Sequence, residues 1–276
     1  MTYGQPPRYT QSTIDTYGSR IVNFVEWAER QKVVYPAQVS FGLLQQFMRH
    51  RADRDGVGGR TINRDFTAMN AMFRYAVANG FAQVNPFANG ALAALKLREP
   101  RPKPSAVALS PKQVDTFLAK ADEISHPAYA ALYRGTAGSA VRIDEILNLE
   151  PWEVDEARMQ LTISPKRGWT TKGYRYRDIP ISRATAKALK VFLSKKDEVA
   201  LDQKSIWKEL QRIRENAGLP HFSMHDLRRA WASAMHDNGA SLKRVSVWLG
   251  HADVQTTERY IRVFMDASDG HQFLPR

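Results

Sequence analysis

The chain has 276 residues, 43% of them hydrophobic and 25% charged, with a formal net charge of +12. That length suits two domains, and that charge favours a polyanionic partner, nucleic acid before an acidic membrane. Cysteine is absent, which excludes disulfides, thiol catalysis and Cys-based zinc sites. No run of about 18 apolar residues offers a membrane span, and the opening MTYGQPPRYTQST lacks the apolar stretch of a secretory signal.

A first helix is expected after Ser12 as N-cap, with Ile14, Tyr17, Ile21, Phe24, Val25 and Ala28 at helical spacing. A second runs over Phe41, Leu44, Phe47 and Met48, and Arg51 to Arg60 reads as a Gly-rich loop. A third passes through Ile62, Phe66, Met69, Phe73 and Ala76 and stops near Asn79-Gly80. Residues 1–95 therefore read as a small all-helical domain. Residues 96–108, opening KLREPRPKP, read as an extended basic linker, because proline stiffens the chain and withholds backbone donors. Such a strap can be a solvated connector or can lie along a phosphate backbone.

The second domain, 109–276, opens with Ser110 as N-cap and Pro111 at the first helical position. Helices are expected at 111–122, 126–137 and 141–149. Alternation of Met159, Leu161 and Ile163, then of Tyr174 and Tyr176 and of Ile179 and Ile181, predicts a small antiparallel sheet. Thr170 to Gly173 forms the loop between its strands, and helices return from 183 onward. The fold class is mainly α with a small antiparallel β-sheet.

Four segments carry chemistry. Arg142 and Glu145 stand at i,i+3, so a carboxylate can hold the guanidinium as a planar fork for a phosphate. Lys172 sits at a hairpin tip among Arg167, Arg175 and Arg177, with Trp169, Tyr174 and Tyr176 interleaved, a mix that suits a DNA groove. A lysine there can also act as a general acid, with Lys166 competing for the role. His225 and Arg228 fall in the first turn of a helix, off the stripe of Leu227, Trp231, Ala234 and Met235, where the helix N-terminus already favours an anion. His251 follows Gly250, which ends a helix; Thr256 or Thr257 opens another, with Tyr260 about one turn in. By itself, a helical tyrosine is most often a core residue.

In this order the four segments resemble the boxes of the tyrosine recombinases, or phage-type integrases. Arg142 with Glu145 is similar to the first arginine box, and Lys172-Gly173 with Arg177 and Pro180 to the hairpin lysine. His225-Asp226-Leu227-Arg228 is similar to the His-x-x-Arg box. Leu249-Gly250-His251, nine residues before Tyr260, is similar to the final box and nucleophile. One departure stands out: the family's Thr-Gly-Leu before the first arginine is Ser139-Ala140-Val141 here, which implies a shifted turn. No further N-terminal arm-binding domain is expected.

The resemblance implies a SAM-like core-binding domain over 1–95 and an α+β catalytic domain over 109–276. It implies site-specific recombination through a 3′-phosphotyrosine and a Holliday junction, without metal, cofactor or ATP. Arg142, Lys172, His225, Arg228, His251 and the nucleophile Tyr260 would be catalytic, with Glu145 supporting. Arg60, Arg64, Lys96, Arg98, Arg101, Lys103, Arg167, Arg175, Arg177 and Arg229 are the candidate DNA-binding cations. The partner would be double-stranded DNA, bound by a homo-tetramer on two sites assembled from free monomers, with Phe264 to Arg276 a possible link between protomers. A bacterial or phage-encoded protein of the cytoplasm and nucleoid is expected. A type IB topoisomerase, a catalytically silent DNA-binding protein and an RNA-binding protein are the rivals.

Overall fold

The computed structural model describes residues 11–98, 109–171, 176–251 and Thr257. The chain divides into two compact units between Pro102 and Lys103.

The first unit is built from α1 (Gln11–Arg30), α2 (Phe41–Asp53), α3 (Gly59–Ala78) and the short α4 (Ala91–Leu95). Phe24, Trp27, Leu44, Phe47, Ile62, Phe66, Met69 and Phe73 lie on the inward stripes of the first three helices and form one core. Phe24 and Phe47 meet edge to face with centroids 5.2 Å apart. A buried carboxylate pins the three helices together: Asp65 of α3 accepts from Arg20 of α1 at 2.6 Å and from Arg51 of α2 at 3.1 Å. Asn79 caps α3, and Gly80 follows it in the left-handed region, as the sequence predicts. Three readings change. Gln11 is already helical, so Ser12 lies within the first turn and does not cap it. The loop is shorter than 51–60, since α2 runs to Asp53 and α3 begins at Gly59. The connector does not leave the domain at Lys96 either: the Asn63 side-chain amide donates to the Leu97 carbonyl at 3.0 Å and accepts from its N–H at 2.9 Å.

The second unit opens with α5 (Pro111–Ile124), whose Ser110 and Gln113 make a reciprocal capping box. Next come α6 (Pro127–Ser139), α7 (Ile143–Leu147), the strands β1 (Val154–Asp155), β2 (Gln160–Ile163) and β3 (Arg177–Pro180), and then α8 (Arg183–Lys195), α9 (Gln203–Asn216), α10 (Met224–Asp237) and α11 (Leu242–Leu249). The sheet is antiparallel in the order β1-β2-β3. Helix α6 is the axis of the unit and is buried along most of its length. Its small residues let α8 approach so closely that a Cβ on Gly138 would overlap the Thr185 side chain.

Met159 departs from the expected alternation. It occupies a left-handed turn at φ 51° before β2, and its carbonyl accepts from Ile181 N at 2.9 Å. Tyr176 is an exposed residue just before β3; Tyr174 lies outside the described residues.

Ala140 ends α6 at φ 54° and ψ 24°. At the position where the sequence has alanine in place of the expected glycine, the alanine itself adopts the left-handed conformation. That conformation costs a residue with a Cβ about 1–2 kcal/mol, part of which glycine returns as unfolded-chain entropy. Ala140→Gly should therefore stabilise the second unit by about 0.5–1 kcal/mol. Thermal unfolding of the two proteins side by side checks this, and a lower midpoint for the glycine variant would refute it.

Candidate active site

Four loops and helix ends of the second unit converge. Arg142 is the N-cap of α7, and Glu145 is the third residue of that helix. The carboxylate accepts the Arg142 backbone N–H at 2.8 Å and its Nη1 at 2.9 Å. The expected fork is thus held at both its root and its tip. Arg142 Nη2 also reaches the Gly250 carbonyl at 3.4 Å.

Glu145 is only 2% exposed, and a second arginine reaches it. Arg177 donates from Nη1 to Oε1 at 3.1 Å and from Nη2 to Oε2 at 2.6 Å, while its Nε donates to the Trp248 carbonyl at 2.8 Å. Burial alone would raise the Glu145 pKa. The hydrogen bonds and charge of Arg177, then Arg142, outweigh it and hold the carboxyl below its ordinary value. Arg177 was expected among the DNA-binding cations; at 5% exposure it is an interior residue. The signal was present in the sequence. Arg177, Ile179 and Ile181 share one parity, and Ile179 and Arg177 both face inward across β2.

Helix α10 brings His225 and Arg228. Its N-terminus carries a capping box between Ser223 and Asp226, with the Asp226 carboxylate accepting the Ser223 N–H at 2.9 Å. Arg228 is 2% exposed. It donates from Nη1 to the Ala140 carbonyl and from Nη2 to the Leu249 carbonyl, latching the α6–α7 turn to the end of α11. His225 stands at the surface, yet its pKa is lowered by packing around the ring, then by Arg229, Arg228 and Arg142, against an opposite pull from Asp226. Arg142, His225 and Arg228 rim one cavity of about 370 Å³, whose other walls include Trp207, Leu210 and Met224.

His251 follows Gly250, which ends α11 at φ 64°. A Cβ on Gly250 would also lie 3.2 Å from the Arg177 side chain, so glycine is required twice over here. His251 Nε2 lies 3.5 Å from Arg228 Nη2, and Nδ1 lies 2.8 Å from the Thr257 hydroxyl. Burial, then Arg228, Arg142, His225 and Arg177, push its pKa down to about 4. The ring is therefore neutral at pH 7. A guanidinium only donates, so the neutral ring turns a lone pair from Nε2 toward Arg228 and gives its Nδ1 proton to Thr257. The fold excludes a proton that the unfolded chain takes up near pH 6.5, so this residue's contribution to stability is full above that pH and declines as pH falls toward 4. In an NMR titration, its ring carbon should stay in the neutral form well below pH 6; protonation at an ordinary histidine pKa would contradict this electrostatic picture.

Lys166 is committed elsewhere. Its ammonium pairs with the buried carboxylate of Glu153 and with the Asn148 carbonyl. Of the remaining candidate cations, Arg60, Arg64, Lys96, Arg98 and Arg167 are exposed, and Arg229 is half-buried. Asn63's grip on Leu97 places Lys96 and Arg98 beside the turn of α3 that carries Arg60 and Arg64. Lys172, Arg175, Tyr260, Arg101, Lys103 and the Phe264 to Arg276 tail lie outside the described residues.

Three arginines and two histidines gather at loop and helix ends, with one carboxylate shared between two of the arginines, an arrangement whose chemistry can accommodate an anionic oxygen cluster such as a phosphodiester. Comparison with known proteins names the class. Residues 108–266 match the Phage integrase family, and residues 7–80 match the Phage integrase, N-terminal SAM-like domain. The chain is 30% identical over 226 residues to tyrosine recombinase XerD of Brucella melitensis, covering 72% of this chain and 71% of that one. Against tyrosine recombinase XerC of Corynebacterium efficiens it is 26% identical over 230 residues, 77% and 70% of the two chains.

Two solved structures share the fold. One is XerH site-specific recombinase bound to palindromic difH substrate, with TM-score 0.71, 18% identity and 95% and 78% of the chains covered. The other is the Tn1549 transposon integrase in complex with circular intermediate DNA, with TM-score 0.68, 18% identity and 98% and 95% covered. The chain belongs to the phage integrase family of tyrosine recombinases. It is a site-specific DNA recombinase; neither the type IB topoisomerase nor the silent DNA-binding reading is favoured. Among the described residues no helix is long and apolar enough to cross a membrane.

Proposed function

We propose that this recombinase cleaves one DNA strand by attack of Tyr260 Oη on a backbone phosphorus. The P–O5′ bond breaks, leaving a 3′-phosphotyrosine and a free 5′-hydroxyl; a partner 5′-hydroxyl then reverses the step and exchanges strands. The observation that carries this reading is the convergence of Arg142, His225 and Arg228 on one pocket of the second unit, with His251 3.5 Å from Arg228.

A phenol titrates near pH 10 and needs a base at neutral pH. His225 suits that role, because its lowered pKa keeps a lone pair available. Arg142 and Arg228 clamp the two nonbridging oxygens and offset the charge of the pentavalent transition state. His251 donates to the same oxygens once its Nε2 bears the proton, a change that the Thr257 hydroxyl permits because it can donate to Nδ1 as readily as accept from it. Lys172 protonates the leaving 5′-oxygen; Lys166, held by Glu153, is the weaker candidate. The bond energy stays in the phosphotyrosine, so neither nucleotide nor metal is required.

The exposed cations Arg60, Arg64, Lys96, Arg98 and Arg167, with Arg101, Lys103, Arg175 and Arg229, track the duplex backbone. Residues 1–95 and 109–276 act as the core-binding and catalytic domains, joined by 96–108. The working assembly is a tetramer on two sites formed from free monomers, and its place is the bacterial cytoplasm, at the nucleoid.

The test is a suicide assay on nicked duplexes carrying sites selected from a random library by binding, in EDTA. A covalent adduct formed by the wild type and absent with Tyr260→Phe supports the reading. Salt-sensitive binding by both proteins with no adduct from either overturns it.

A further inference from the structure

We propose that Arg177 is a positioning residue of the strand-cleavage step: it fixes Glu145 so that Glu145 can fix Arg142, and it ties that clamp to the His251 loop. The inference rests on the reading of Arg142 as a phosphate clamp. Each oxygen of Glu145 serves two donors. Oε1 accepts from Arg142 Nη1 and Arg177 Nη1, and Oε2 from the Arg142 backbone N–H and Arg177 Nη2. The third branch of the Arg177 fork holds the Trp248 carbonyl at 2.8 Å, and the side chain packs against Gly250. Arg177 thus links the strand that follows the Lys172 segment, the Arg142 helix and the turn that carries His251.

Packing alone does not require an arginine here. Position 177 faces inward in register with Ile163, beside the buried Ile179, and an apolar side chain would serve the sheet as well or better than a buried ion. What Arg177 supplies is a second cation for Glu145. A phosphate arriving at Arg142 competes for the same N–H donors that Glu145 uses. With Arg177 in place, the carboxylate keeps both its charge and its orientation while Arg142 turns part of its fork to the substrate. Among the described residues, Arg228, His225 and His251 are the other charged or titratable groups near this cluster, and the side-chain hydrogen bonds of Glu145 go to Arg142 and Arg177.

The experiment uses the full chain and a nicked duplex chosen by binding, and compares single-turnover adduct formation from pH 5 to 9. The proteins are wild type, Arg177→Met, Arg177→Lys and Leu161→Ala, the last a buried-sheet control for lost stability. Arg177→Met should bind the duplex with unchanged Kd and cleave about 100-fold more slowly, the scale expected for a catalytic group displaced by about 1 Å. Its rate should also fall more steeply on acidification than the wild type's, as protonation of Glu145 adds to that of the His225 base once the second cation is gone. Arg177→Lys should recover part of the rate, because an ammonium restores charge without the fork. Equal rates and pH profiles for wild type and both Arg177 variants, or variants that differ from wild type only as Leu161→Ala does, would overturn the proposal. Absence of adduct from the wild type would instead refute the reading of the site.

Discussion

Arg228→Ala should destabilise the second unit by about 3–5 kcal/mol and leave no measurable strand cleavage. The side chain is 2% exposed, so its removal opens a cavity beside α10. It also strips donors from the buried Ala140 and Leu249 carbonyls, each worth about 1–3 kcal/mol when orphaned. Ala140 already sits in a left-handed conformation, so the turn before Arg142 has little in reserve once the latch is gone. Arg228→Lys separates the two effects. It keeps a charge but cannot serve two carbonyls and a phosphate at once, so it should lose cleavage while losing less stability. Urea unfolding midpoints and adduct yields measure both; an alanine variant within about 1 kcal/mol of wild type would show that the latch is not structural.

Glu145→Ala should be nearly as damaging, at about 3–5 kcal/mol, because it abandons two guanidinium groups, one of them with only 4% of its side chain exposed. Glu145→Gln keeps the shape and loses the charge, and is expected to fall between. The pH dependence follows from the lowered pKa of this carboxyl. A carboxylate favoured by the fold contributes stability that is complete above its ordinary value of 4.5 and is lost as pH falls through its lower folded value. Wild type should therefore weaken on acidification below pH 4.5 more steeply than Glu145→Gln. Parallel stability curves for the two proteins in that window would mean that Arg177 and Arg142 do not hold the charged form.

Much of the site was legible because its residues announce themselves by type and local spacing. Arg142 and Glu145 needed only i,i+3 geometry, and the structure forms that pair as read; His225 and Arg228 needed only a helix start, and both lie near the N-terminus of α10. Helix caps were equally local, as at Ser110 and Asn79. What escaped depended on partners distant in sequence. Arg177 looked like one more cation in a basic hairpin, and its target lies 32 residues earlier. Alternation would have revealed its inward face, but the strand parity was set from Tyr174 and Tyr176, one residue out of step with Ile179. Lys166 was a plausible acid until Glu153, 13 residues before it, claimed the ammonium. Arg228 was read as off the apolar stripe, when in fact its length carries the guanidinium to two carbonyls in the interior.

The burial of Arg177 and Arg228 also bears on how this protein should respond to ionic strength. Counterions leave DNA only for cations that newly approach its phosphates. Arg177 is paired with Glu145 before any duplex arrives, and Arg228 is buried against the Ala140 and Leu249 carbonyls. The +12 formal charge therefore overstates the electrostatic reach of the chain. The slope of log Kd against log salt should follow surface residues such as Arg60, Arg64, Lys96, Arg98 and Arg167, and removing Arg177 should leave that slope unchanged. On the proposed roles, affinity and chemistry are carried by separate sets of arginines, and surface substitutions should tune the grip on DNA without changing the cleavage rate.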